Sequence, residues 1–361
     1  MNIGVPKERR KSEYRIGLTP TRVQLLANAG HQVFVERGAG VGAGHHDDHY
    51  VRAGARIVYS GDELYGRSDL VVKVARPTAE ELDWLRPGQG VMAFWHLASA
   101  AHAKIEKLVD ARITVIAYEM IQTDDGRLPA LRPMSEIAGR MSAHVAATLL
   151  QNDHGGKGVL LGGLPGVAPA EVVILGAGTT GLNAARAFVG LGATVYMLDR
   201  DLDQLERVYL HDNRIITMVA HPHNIEKVCR FADVLIGAVL VPGQRTPVLV
   251  TRRQVSEMRR RSVIIDVDID MGGSIETARP TSHETPTYLV DDVIHYCVPN
   301  MAGALGRTGT HALNNAIWPF VQMLADNGIT NTINDSMTVA RGVAMHDGQI
   351  VSPALRAENP S

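Results

Sequence analysis

Apolar and polar positions follow two alternating patterns along this chain. Short β-branched runs at Asn2 to Val5, Gln32 to Glu36, Asp69 to Val74, Val91 to Trp95 and Ile113 to Tyr118 predict buried parallel strands. Between them, helical spacing predicts helices from Pro20 to about Gly30, over Thr78 to Leu85 and over Ala101 to Asp110, with Thr19 placed to cap the first. A helix over Met134 to Leu150 and a glycine-rich loop, Gly155 to Gly166, lead into a second series. Its strands are expected at Val172 to Leu175, before Asp199, and at Ile215 to Val219, Asp233 to Ala238, Ser262 to Val267 and His295 to Val298. Helices are expected at Leu202 to Tyr209, Asn224 to Phe231 and Arg252 to Met258. A long apolar helix over Thr310 to Asp326 is expected to return the chain to its first part, and the polar tail from Pro353 reads as loose. The reading is α/β, with two doubly wound parallel-sheet domains.

Composition narrows this picture only modestly. At 361 residues the chain exceeds one ordinary core, in line with two domains. A net charge of −2 with histidines neutral gives no reason to expect nucleic acid or a membrane surface as partner. No apolar run has the length of a bilayer span and no secretory leader is read at the N-terminus, so a cytoplasmic enzyme is expected. Cys229 and Cys297 sit in apolar surroundings and read as small core residues.

The most specific chemical signal is Gly176-Ala-Gly178-Thr179-Thr180-Gly181, placed where the strand Val172 to Leu175 turns into a helix. The first glycine permits the tight turn, the second lets the backbone approach a pyrophosphate, and the third lets helix and strand pack closely. Asp199 ends the next strand, where a carboxylate accepts hydrogen bonds from an adenosine ribose and repels a 2′-phosphate. The pattern points to NAD rather than NADP as cofactor.

Arg15 follows the first strand, and Lys73 and His96 fall near the carboxyl ends of two others, where ligands bind in open α/β sheets. A guanidinium can grip a carboxylate by two parallel bonds, an ammonium can polarise a carbonyl, and an imidazole can pass a proton near neutrality. Asp270, after a strand of the nucleotide domain, is placed to face the same cleft. Each also has a plain structural reading, as a solvated charge, a core histidine or a loop cap. His45-His-Asp-Asp-His49 holds metal-capable atoms but reads as a polar loop, so no metal is expected. Arg252, Arg253 and Arg259 to Arg261 read as a solvated face.

Beyond spacing, the sequence resembles the alanine dehydrogenase family, which is related to the NAD-binding subunit of proton-translocating transhydrogenase. The resemblance runs from residue 1 to about residue 340. It rests on Gly4-Val-Pro-Lys-Glu8, Glu13-Tyr-Arg15, Leu18-Thr-Pro20, Gly38-Ala-Gly40, Val72-Lys73-Val74 and His96-Leu-Ala98. It continues through Ala117-Tyr-Glu119, Pro133-Met-Ser-Glu-Ile-Ala-Gly-Arg140, Gly163-Leu-Pro-Gly166, Gly237-Ala-Val-Leu-Val-Pro-Gly243, Asp266-Val-Asp-Ile-Asp270 and Gly272-Gly273. It implies that Arg15 and Lys73 bind the substrate and that His96 and Asp270 are the acid–base pair. It further implies cofactor contacts from Ser135, Gly176, Gly178 to Gly181, Asp199, Val239, Leu240, Val267, Asp268, Ile269, Asp270, Arg279, Val298, Pro299, Asn300 and Met301. A discontinuous catalytic domain (1–130 plus 306–361), a Rossmann domain (131–305) and a homo-hexamer are also implied. So is the reversible, NAD-dependent oxidative deamination of L-alanine to pyruvate and ammonium.

Some residues depart from the family pattern. Asp268 and Met271 stand where Ala and Gln are expected, and Pro299 where Ala is expected. An added carboxylate at Asp268 would favour a more cationic amino acid. Two alternatives stay open: a related amino-acid or imine dehydrogenase of altered specificity, and a non-catalytic NAD-binding subunit like that of transhydrogenase, which would need membrane segments from a partner.

Overall fold

The computed structural model describes residues 1–97, 102–240 and 245–358. By compactness the chain divides into two units, Met1–Met134 with Gly303–Ser361, and Ser135–Ala302. Strands are numbered in chain order through both.

In unit 1, β1 (Asn2–Val5), β2 (Gln32–Glu36), β3 (Arg56–Val58), β4 (Leu70–Ala75), β5 (Gly90–Phe94) and β6 (Thr114–Ala117) form a parallel sheet. Their spatial order is 3-2-1-4-5-6, the doubly wound order. A returning hairpin, β14 (Val343–His346) and β15 (Gln349–Ile350), extends the sheet antiparallel beside β6. All six residues of β4 are buried, so this strand is covered on both faces, as parallel strands between helical layers are.

The chain's two ends are joined in unit 1 by backbone satisfaction. The helix Gly306–Asn327 supplies Thr310 Oγ1 to the Ile16 amide (3.1 Å) and Asn314 Oδ1 to the Thr19 amide (2.8 Å). Asn314 Nδ2 donates to the Gly17 carbonyl at 3.0 Å. Thr19 does stand at the N-cap of helix Pro20–Asn28, but its side chain makes no capping bond. A Cβ at Gly17 would lie 2.0 Å from the Val72 carbonyl oxygen, so the loop carrying Arg15 lies directly against β4. The tail expected to be loose contains a helix, Pro353–Glu358, whose Leu355 is buried in the unit 1 core. One apolar side chain anchors an otherwise polar segment.

Unit 2 repeats the architecture. Its strands are β7 (Glu171–Leu175), β8 (Thr194–Asp199), β9 (Ile216–Val219), β10 (Val234–Gly237), β11 (Val263–Asp266), β12 (Thr287–Val290) and β13 (Val293–Tyr296). The order β9-β8-β7-β10-β11-β13 is parallel throughout, and β12 pairs antiparallel at the edge. Alternate residues of β7 fall into two cores: Val172 and Ile174 pack with Phe188 and Met197 on one face, Val173 and Leu175 with Leu198 and Ile264 on the other. The last strand was expected at His295 to Val298; it ends instead at Tyr296, and Cys297 and Val298 continue as buried coil. Cys229 and Cys297 are free and buried, as read from the sequence.

Candidate active site

In unit 2 the carboxyl ends of β7, β10, β11 and β13 share one edge, because register sets Gly237 opposite both Leu175 and Asp266, and Ile265 opposite Tyr296. The glycine turn leaves β7 there. Gly176 has φ +103°, and a Cβ on it would meet the Ala238 carbonyl oxygen at 2.2 Å. Gly178 is the N-cap of helix Thr179–Gly190, and a Cβ there would meet nothing within 4 Å. A Cβ on Gly181 would lie 1.9 Å from the Gly176 carbonyl oxygen. The turn therefore has its tight bend, its open approach to the helix N-terminus and its close packing at the positions a dinucleotide pyrophosphate requires. Thr179 and Thr180 open the helix beside that approach. Ser135 lies on the neighbouring helix Arg132–Leu149, one turn before Gly139, where a Cβ would be 2.3 Å from the Thr180 carbonyl oxygen.

Asp199 is half-buried at the end of β8. One carboxylate oxygen accepts from the Ala177 amide (2.7 Å) and the other from the Asp201 amide (2.9 Å), so the side chain braces the glycine turn itself. Arg279 is exposed and stacks on the Tyr288 ring at 4.3 Å.

A second loop is built by a residue that the sequence places in a family motif without a role of its own. Asp266 ends β11 buried, and its carboxylate accepts from the amides of Asp268 (3.1 Å), Ser274 (2.8 Å) and Ile275 (3.2 Å). Burial pushes its pKa up to about 6 despite those bonds. Gly272 and Gly273, at φ +105° and +78°, turn the chain back around it. The loop presents Asp270 to solvent, where its carboxylate accepts from the Asn300 amide at 3.2 Å. Ile269 is buried and Val267 half-buried behind it. Val298 and Met301 are buried, on either side of Pro299 and Asn300. The signals for Asp266 in the sequence were a charge closing an apolar run and its place at the head of the motif Asp266-Val-Asp-Ile-Asp270.

Asp268 does not add an exposed carboxylate for a cationic substrate. It is 9 % exposed, its carboxylate accepts from the Val239 amide, and Val239 and the exposed Leu240 follow β10. Burial first, and the neighbouring Asp266 next, push its pKa up to about 7. A carboxyl whose pKa is raised on folding favours the folded state at low pH, and that favour is lost as pH rises through about 7. Asp268→Asn keeps the acceptor for Val239 and removes the titration. It is expected to stabilise unit 2 at pH 8 by about 1–3 kcal/mol and to flatten its stability between pH 5 and pH 8, read by thermal melting.

In unit 1, Arg15 is buried and held bidentate by Glu13, with Nε and Nη2 at 2.6 and 2.5 Å from the two oxygens. Lys73 is fully buried inside β4. Its ammonium lies 2.6 Å from Glu81 and 3.2 Å from Glu8. Burial alone would lower its pKa, but the two carboxylates reverse this and leave it raised. Glu8 also accepts from the Val74 amide (2.7 Å) at the carboxyl end of β4.

His96 is half-buried two residues beyond β5 at φ +46°. Glu119, after β6, accepts from its amide at 2.5 Å and from the Trp95 amide at 3.2 Å. That single carboxylate holds the strained turn that carries the imidazole. Unit 1 thus brings Lys73 together with Glu8 and Glu81, Arg15 with Glu13, and His96 with Glu119. The stretch from His45 to His49 serves as a helix start, with His46 and His49 forming a reciprocal cap for Asp47–Arg52. Arg253 pairs with Glu226 and Glu257, and Arg260 with Asp292, on exposed surface.

Comparison with known proteins places these features. The family model described as "Alanine dehydrogenase/PNT, N-terminal domain" matches residues 4–138, and "Alanine dehydrogenase/PNT, C-terminal domain" matches residues 142–353. An alanine dehydrogenase of Mycolicibacterium smegmatis is 44 % identical over 356 residues, 98 % of this chain and 96 % of that protein. A solved L-alanine dehydrogenase superposes with TM-score 0.95 at 44 % identity, covering 100 % of this chain and 99 % of that one. A transhydrogenase from Sinorhizobium meliloti shares the fold, at TM-score 0.84 and 24 % identity, over 97 % of this chain and 100 % of that one. No described helix is long and apolar enough to cross a membrane.

Proposed function

The chain belongs to the alanine dehydrogenase/PNT family, and from that premise we propose that it catalyses the NAD-dependent, reversible oxidative deamination of L-alanine to pyruvate and ammonium. It is an amino-acid dehydrogenase that uses a nicotinamide dinucleotide and acts on a small molecule. The observation that carries the reading is an intact glycine turn in unit 2, in a chain whose unit 1 holds a histidine at a strand end. The bound nicotinamide supplies a hydride acceptor. Ser135, Gly176 to Gly181, Val239, Leu240, Val267 to Asp270, Arg279 and Val298 to Met301 are the residues proposed to hold the dinucleotide. Asp199 would take the ribose hydroxyls, and its negative charge is the ground for NAD over NADP.

Arg15, braced by Glu13 and with Nη1 on Met134 Sδ at 2.8 Å, is the guanidinium proposed to orient the substrate carboxylate. Lys73 serves the same site by fixing Glu8 and Glu81. Loss of hydride from the α-carbon of alanine leaves an iminium, and His96 removes a proton from the water that adds to it. The carbinolamine then collapses to pyruvate and ammonium, with Asp270 balancing positive charge on nitrogen. A homo-hexameric assembly and a cytoplasmic setting complete the proposal. NADH formation should appear with L-alanine in a panel of L-amino acids; absence of turnover with every member would overturn the reading. Turnover led by a basic amino acid would move it to a dehydrogenase of altered specificity.

A further inference from the structure

Both cations that the family resemblance assigns to the substrate are already neutralised inside unit 1, Arg15 by Glu13 and Lys73 by Glu8 and Glu81. Three other cations gather past the carboxyl end of β4 without an ion-pair partner among the described residues. Arg76 follows β4 directly and is half-buried. Arg10, from the loop after β1, bonds the Arg76 carbonyl through Nε at 3.1 Å. Lys104, on helix His102–Asp110, is half-buried and reaches the Pro77 carbonyl at 3.4 Å, with its ammonium 5.8 Å from the Trp95 ring centroid.

Among the described residues Arg10 and Lys104 bond backbone carbonyls, and the carboxylates of Glu81 and Glu8 act on them without forming an ion pair, so the positive charge of the cluster is offset only in part. Its members feel one another. The Lys104 pKa is pushed down to about 8, by burial first and then by Arg76 and Arg10, with Glu81 opposing. Arg10 is lowered by burial and by Arg76, against Glu81 and Glu8. With Arg76 and Lys104 half-buried and Arg10 exposed, like charges held together on the ligand-binding edge of an open sheet are stabilised most by a small anion. Guanidinium groups suit the planar, two-oxygen face of a carboxylate or the oxygens of phosphate.

We propose that Arg10, Arg76 and Lys104 form an oxyanion-binding site at the carboxyl end of β4, which captures the carboxylate of the 2-oxo acid substrate on its way to Arg15 and His96. The site rests on the proposed reaction for its substrate, but its anion affinity does not. A bound oxyanion restores the Lys104 ammonium to full charge and adds selectivity for anionic substrates over neutral ones.

The test uses the full chain and the variants Arg76→Gln and Lys104→Gln. Steady-state kinetics of the reductive amination of pyruvate by ammonium are measured with and without inorganic phosphate, alongside thermal melting in pyruvate or phosphate alone. Capture of the substrate predicts a pyruvate KM raised about tenfold in each variant, a smaller change in kcat, NADH affinity unaltered, and phosphate competing with pyruvate. Phosphate stabilisation lost in both variants with the pyruvate KM unmoved would overturn the capture of substrate and leave a site for free phosphate. Equal response to both anions in wild type and variants would overturn the oxyanion site altogether. If no amino or oxo acid turns over, the melting arms still decide the site, and the failure belongs to the proposed reaction.

Discussion

His96→Ala is expected to reduce kcat by about 10³-fold while NADH binds as it does to the unaltered chain. The residues proposed to bind dinucleotide all belong to unit 2, whereas His96 is held in unit 1 by β5 and Glu119. A proton-transfer residue contributes to the barrier and not to cofactor affinity, so the loss should fall on turnover in both directions. Glu119 gives the control. Glu119→Gln keeps one acceptor for the two amides, and the turn at φ +46° then loses part of its hold. Its kcat should fall by about tenfold, well short of the histidine deletion, because the imidazole remains and only its placement relaxes. NADH binding is followed by fluorescence titration and turnover by absorbance. A His96→Ala enzyme that retains turnover would remove the residue from the chemistry.

The sequence made the parallel sheets readable because their strands are unbroken apolar runs, and β1 and β2 were located to the residue. The glycine turn was equally legible, since each of its three glycines answers a separate steric demand. What escaped was short or set by partners distant in sequence. β3 has three residues, and β12 is a half-exposed edge strand without a continuous apolar run. The β14–β15 hairpin carried a signal, Asp347-Gly348 with both residues at positive φ, but its strands have only four and two residues, too few for periodicity to register. For the candidate site, spacing located Lys73, His96 and Asp270 at strand ends, yet it could not tell which charges were already paired. That depends on Glu8, Glu13, Glu81 and Glu119, which approach from other loops and carry no local pattern of their own.

Lys73 is where this distinction has the largest energetic consequence. Its ammonium is fully buried between two carboxylates, and Glu81 also accepts from the Thr78 amide (2.8 Å) and the Tyr65 hydroxyl (3.3 Å). Lys73→Met keeps the apolar stem and removes the charge, which leaves Glu8 buried without the ammonium that pairs with it and Glu81 with only the more distant Arg9, at 3.8 Å. Deleting one partner of a buried ion pair costs about 3–5 kcal/mol, and for a unit of this size that lowers the melting midpoint by roughly 10 °C. The pH dependence identifies the cause. With Lys73 present the Glu81 pKa is lowered: burial would raise it, but Lys73, aided by the Thr78 amide and Arg9, reverses that. A lowered carboxyl contributes stability above its unfolded pKa and loses it as pH falls through the folded value. Without Lys73, burial is opposed only by the Thr78 amide and Arg9 and the Glu81 pKa moves up, so the sign inverts: the variant should recover stability as pH falls toward 5 and lose it above. Glu81→Gln added to Lys73→Met should return part of the loss at neutral pH, because one of the two charges that lost the ammonium is gone. A Lys73→Met chain that melts with the unaltered one and shows only a raised KM would instead place the ammonium against the substrate.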